Sequence, residues 1–147
     1  MKTVFRKPTR DDLIVRINAL DENQTAQWGK MNVYQMLEHC SLFEEMVLTK
    51  TEYKRTFLGR IFGKMVLRGF LKDEAPMKQN MPTLTQLRVN ENGDVEFARK
   101  RWISLLEEYA NFSNHGFVHP FLGKMTKEQA GYLAYKHADH HLRQFSA

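Results

Sequence analysis

Apolar residues recur at helical spacing in four stretches of this chain, and no stretch alternates convincingly with a period of two. The first is T-R-D-D-L-I-V-R-I-N-A-L, in which Leu13, Ile14, Ile17 and Leu20 form one face. Thr9 is its expected N-cap, with Asp11 and Asp12 in the first turn, where negative charge suits the helix dipole. The second opens at Asn32, with Gln35 three residues on as the partner of a capping box. It carries Val33, Met36, Leu37, Cys40, Phe43 and Val47 at helical spacing and should end near Lys50. A third follows Asp94 and groups Phe97, Ala98, Trp102, Leu105, Leu106 and Tyr109 on one face. The last is capped by Thr126, and Gln129 completes a second capping box.

Between the second and third of these lies a long excursion, residues 51 to 93. Its T-F-L-G-R-I-F-G-K-M-V-L-R-G-F-L-K segment has helical spacing, weakened by three glycines at up to about 1 kcal/mol each. Pro76 and Pro82 mark the next stretch as loop. The N-G-D around Gly93 is a candidate hairpin turn, although one hairpin beside four helices is marginal alone. N-F-S-N-H-G-F-V-H-P-F-L-G-K-M reads as loop from its Asn, Gly and Pro content. Four amphipathic helices without a sheet predict an all-α fold, a four-helix bundle with its excursion between the second and third bundle helices. Residues 1 to 147 are expected to form one domain, long enough to bury about two thirds of its unfolded surface.

The final helix changes the picture from fold to chemistry. Its arc of about 120° collects Ala130, Leu133, Ala134, His137, His141, Gln144 and Phe145. His137 and His141 stand one turn apart on that inward face, where both imidazoles can reach one metal ion. The bland counterpart is a pair of core histidines hydrogen-bonded to carbonyls or carboxylates. A catalytic zinc usually takes three protein ligands and keeps an open position. His39, His115 and His119 are the outside donors, and His39, on the flank of the second helix beside Met36 and Phe43, can project between helices. His140 points about 60° from His137, so it and Asp139 are expected to meet solvent or to support the site from behind. Gln144 shares the stripe and can hydrogen-bond near the site or pack at the helix end. Cys40 turns about 100° away from His39 and is expected in the core.

Three segments carry a resemblance: M-N-V-Y-Q-M-L-E-H-C, H-P-F-L-G-K-M-T-K-E-Q and Y-K-H-A-D-H-H-L-R-Q-F. Together they resemble the DinB/YfiT-like superfamily, in a branch of small bacterial proteins, from about residue 10 to the end. The resemblance implies an up-down-down-up four-helix bundle. It also implies a divalent metal on three histidines, one from the second helix and two from the last, at the positions of His39, His137 and His141. Some members of that superfamily are thiol-dependent transferases or isomerases using low-molecular-weight thiols. Their reaction does not transfer to this chain, because substrate is set by the pocket and not by the fold. The expectation is a small-molecule substrate, with such a thiol as one candidate. Three imidazoles suit zinc or nickel, and also iron, manganese or copper. Such an ion would polarise a substrate atom or lower the pKa of bound water or thiol, in a transferase or a hydrolase. Glu38 and His119 are general-base candidates by sequence proximity alone. The competing reading is a non-catalytic bundle that binds a small apolar ligand or forms a homodimer.

Charge adds one more expectation. Residues 50 to 72 hold seven basic side chains against Glu52, a net +6, which leaves the rest of the chain at −1. A basic amphipathic segment can meet an anionic membrane or nucleic acid, and the expectation here is the simpler one, a solvated helix covering the bundle. No stacking platform for bases is interleaved with the charges, so no nucleic acid is expected. The single cysteine excludes an internal disulfide and fits a reducing compartment. With neither a signal-like segment nor a membrane span in the sequence, a cytoplasmic location is expected.

Overall fold

The computed structural model describes residues 1–147. It is mostly helical: α1 (Lys7–Asn18), α2 (Val33–Leu48), α3 (Phe57–Phe70), α4 (Val95–Glu108) and α5 (Lys127–Gln144), with one small hairpin of β1 (Val118–His119) and β2 (Gly123–Lys124). Single 3₁₀ turns lie at Thr85–Leu87 and Tyr109–Asn111. The main helix contacts close a ring, in which α2 meets α4 and α5 while α1 meets the same two. α3 lies outside that ring and rests chiefly on β2. No helix is long and apolar enough to cross a membrane.

The helix starts follow from their caps. Asn32 accepts from the Gln35 N–H while the Gln35 side chain returns to the Asn32 N–H, and Thr126 and Gln129 do the same for α5. Asp94 caps α4 by accepting from the Phe97 N–H at 2.8 Å. α1 departs from expectation. It begins at Lys7, two residues before Thr9, because Pro8 sits in the first turn, where its missing donor costs nothing and its fixed φ suits the helix. α2 stops at Leu48, two residues before Lys50.

The hairpin is also elsewhere than the sequence suggested. Asn92-Gly93-Asp94 is no hairpin turn; it leads into the α4 cap. The Val118–Lys124 stretch, expected to be loop, pairs in register Val118 to Lys124 and His119 to Gly123. Strands of two residues carry too little alternation for a sequence pattern to reveal.

Trp102, Leu13, Ile17, Met36, Leu37, Met46, Leu106 and Leu142 are fully buried where the four ring helices meet. Phe97 is 68% exposed, off the face assigned to it, because it stands about 100° from Ala98 around the helix. Arginines on α4 tie the ring together. Arg99 donates to the Ile17 and Leu20 carbonyls at and just beyond the end of α1, adding to the backbone bond that Ile17 already accepts. Arg101 pairs with both Glu38 and Glu45 of α2.

Candidate metal centre

α2 and α5 each turn a buried histidine edge toward the other. His39, His137 and His141 are 4%, 9% and 7% exposed, and one ligand atom from each lies within 4.8 Å of the other two. The His39 ring centroid is 5.0 Å from that of His137 and 4.6 Å from that of His141. The helical one-turn step brings His137 and His141 to 4.7 Å. Nε2 of His39 and Nε2 of His137 approach to 3.1 Å. Two nitrogens at about 2.0–2.1 Å from one tetrahedral ion would stand about 3.3 Å apart, so this pair needs almost no adjustment.

Two of the three tautomers are fixed by neighbours. His39 Nδ1 meets the Leu87 carbonyl at 2.9 Å, and a carbonyl only accepts, so Nδ1 carries the proton and Nε2 keeps its lone pair. His141 Nδ1 meets Gln144 Oε1 at 2.9 Å. The Gln144 amide cannot turn over, because its Nε2 donates to the Trp28 carbonyl at 2.7 Å. Gly29, at φ +80°, lets the chain pass so close that a Cβ there would lie 2.8 Å from that nitrogen. His141 therefore donates from Nδ1 and offers Nε2. Outer partners of this kind orient metal-binding imidazoles and raise their basicity.

His137 stacks on Phe43 at 3.9 Å between centroids, and its Nδ1 is buried with no hydrogen-bond partner. Either tautomer leaves a fault. With the proton on Nε2, His137 donates to His39 but buries an empty acceptor. With the proton on Nδ1, a buried donor goes unpaired and two lone pairs face each other at 3.1 Å. A cation between the rings turns the facing lone pairs into ligands and leaves only the Nδ1 donor unpaired, so the residues present fit a divalent ion. Burial pushes the His137 and His141 imidazoles well below the usual histidine range, with repulsion among the neighbouring rings adding to it. His39 is lowered too, by burial first, against the Leu87 hydrogen bond, which raises it. Near neutral pH all three are neutral and able to ligate.

The remaining candidates sort differently. Glu38 is clamped by Arg101 and does not join the cluster. His119 Nδ1 accepts from the Phe121 and Leu122 N–H groups, each at 3.1 Å, so it organises the hairpin. Burial first, then Arg55, lowers its pKa to about 4. His115 is exposed. Cys40 is in the core as expected, its thiol pushed well up by burial and then by Glu44.

His140 and Asp139 are buried and do not meet solvent, because the segments around Trp28 and Met77 fold over the outer side of α5. Asp139 binds Arg16 at 2.8 Å and Arg143 at 2.7 Å. Sequence reasoning missed Leu87, Trp28 and Phe43 as supports of the cluster. Leu87 and Trp28 act through backbone carbonyls, for which side-chain patterns hold no signal.

The chain matches, over residues 4–147, the family described as protein of unknown function (DUF1569). It belongs to that family. No curated protein and no solved structure matches it.

Proposed function

We propose that this DUF1569 member is a metal-dependent enzyme of the DinB-like type. On this reading α1, α2, α4 and α5 are the four helices of the bundle, and α3 with its flanking loops is the excursion. His39, His137 and His141 hold one divalent ion, zinc or nickel first among the candidates and iron or manganese next. The observation that carries the reading is the convergence of three neutral, buried imidazoles, two of them with tautomers set by Leu87 and Gln144. Such an ion supplies Lewis acidity toward a water, a thiol or a substrate oxygen. The protein's part is to hold the three nitrogens and to exclude bulk water with Phe43 and Trp28. Thiol transfer and hydrolysis both fit that environment.

The test is metal analysis of protein freed of any affinity tag. About one equivalent per chain is expected, and His137→Ala should lose most of it while keeping its helical content. Full occupancy in that variant refutes the assignment. A second reading rests on the burial of all three ligands below 10% exposure, which suits an ion that staples α2 to α5 without turnover. It predicts a metal that raises the unfolding temperature but exchanges no ligand with small thiols in solution.

A further inference from the structure

α3 is built inside out. Its inward edge is Gly59, Gly63 and Leu67, and its large apolar residues Phe57, Leu58, Ile61, Phe62 and Met65 face solvent. Phe57 is 76% and Met65 64% exposed, and these five account for more than half of the nine large apolar side chains exposed anywhere on the molecule. The glycines are there for contact. A Cβ on Gly59 would lie 2.5 Å from the Phe121 carbonyl oxygen, and one on Gly63 would lie 2.1 Å from it. Thus the helix backbone sits directly on the hairpin. Arg55, just before α3, donates to the Pro120 and Phe121 carbonyls, and Lys64 donates to the Lys124 carbonyl, which holds α3 to the hairpin at its turn and at β2.

The fold accounts for the glycine edge and does not account for the outward apolar one. Around an ideal helix the five apolar residues span an arc of about 140°, with Arg60, Lys64 and Arg68 along one border. Residues 57–72 contain no acidic side chain, and Arg60, Arg68 and Lys72 are exposed. None of these cations is in an ion pair within the molecule. An apolar stripe bordered by unpaired cations matches an interface that is apolar below and negative at its rim. Long basic side chains can then lie along the apolar surface while their charges reach the headgroups. A second copy seated antiparallel on the same stripe would bring two such cationic borders together, a parallel one would offer the cations no acidic partner from residues 57–72, and a nucleic acid would leave the apolar stripe uncovered.

We propose that α3 is a docking helix for the surface of an anionic lipid bilayer, with Phe57, Leu58, Ile61, Phe62 and Met65 entering the acyl boundary. The sequence led to the expectation of a solvated helix covering the bundle; the structure leaves its charges solvated and also turns these apolar residues outward. The experiment is co-sedimentation of the full chain with phosphatidylcholine vesicles and with vesicles of seven parts phosphatidylcholine to three of phosphatidylserine, at 0.15 M salt. Partitioning should be at least tenfold greater on the anionic vesicles and should fall at 0.5 M salt. Ile61→Ser with Met65→Ser should cut binding at least tenfold, as should Arg60→Glu with Arg68→Glu. All four residues are exposed, so the unfolding midpoint should not move, and a Val15→Ser control on α1 should bind like wild type. Equal binding to both vesicle types, absence of binding at 0.15 M salt, or unaltered binding by the variants would overturn the proposal. So would a dimer in sedimentation equilibrium that Ile61→Ser disperses, which would assign the face to a second copy, or duplex DNA binding that persists at 0.15 M salt.

Discussion

Gln144→Leu is the substitution most informative about how the histidine cluster is prepared for its ligand. Leucine is close to glutamine in size, so the change removes two hydrogen bonds with little change in packing. One is the acceptor for His141 Nδ1 at 2.9 Å; the other is the donor to the Trp28 carbonyl at 2.7 Å. A buried donor left without a partner costs about 1–3 kcal/mol, so the metal-free protein should unfold at lower urea concentration. The second consequence is specific to the cluster. With no acceptor beside Nδ1, His141 is free to carry its proton on Nε2, the nitrogen that would ligate. Loss of such outer partners typically weakens metal binding by about 10–100-fold, equivalent to about 1.4–2.7 kcal/mol.

The assay is zinc affinity by chelator competition, run beside urea unfolding of the metal-free protein. Gln144→Glu separates the two roles. Its carboxylate still accepts from His141 but cannot donate to the Trp28 carbonyl, so affinity should stay within about tenfold of wild type while stability falls. Wild-type zinc affinity in a folded Gln144→Leu variant would refute the claim that Gln144 sets the tautomer. Equal loss in both variants would refute it as well, because a carboxylate should have rescued.

Two further predictions concern stability. Burial raises Glu44 from 4.5 to about 7, so the native state binds the extra proton between those values; stability of the metal-free protein should fall as pH rises through that window, by about 3 kcal/mol, and Glu44→Gln should abolish that slope in urea titrations. His119 does the reverse: its folded value of about 4 lies below 6.5, so its contribution is lost as pH falls from 6.5 toward 4, and His119→Asn, which retains an acceptor for the hairpin N–H groups, should flatten that limb. On α3, Gly69 has nothing within 4 Å of an added Cβ while Gly63 has the Phe121 carbonyl oxygen at 2.1 Å. Gly69→Ala should therefore stabilise by up to about 1 kcal/mol and Gly63→Ala destabilise by about 1–3 kcal/mol, and thermal melts that rank them the other way would contradict the tight seating of α3.

What could be read from the chain was whatever depended on neighbours along it. Asn32 with Gln35 and Thr126 with Gln129 announce α2 and α5 because a capping box is complete within four residues. His137 and His141 share a face by helix geometry alone, and His39 shows itself on the flank of an apolar stripe. The supports of the cluster lay beyond reach, since the Leu87 and Trp28 carbonyls arrive from a 3₁₀ turn and a loop at distances of 48 and 116 residues. α3 was misread in orientation for a physical reason. Periodicity shows that a helix has an apolar face, and the usual rule points that face inward. Here two glycines claim the inward edge, and only the position of the hairpin shows why.

The cluster also constrains what chemistry can accompany it. Its three imidazoles are neutral, and no carboxylate or thiolate joins them. The carboxylates nearby in sequence are already committed: Asp139 to Arg16 and Arg143, Glu38 to Arg101. On the opposite side of α2, about 140° round from His39, Glu44 is held by the Tyr109 hydroxyl and the Trp102 N–H and shares no contact with the histidines. A divalent ion bound to His39, His137 and His141 would therefore keep both of its charges in a buried place, where charge is costly. The least costly way to complete such a centre is an anionic donor of small size, a hydroxide or a thiolate, whose formation the same charge promotes. The proposed activation of a small acidic donor therefore rests on the three neutral imidazoles and on the commitment of the neighbouring carboxylates to other partners.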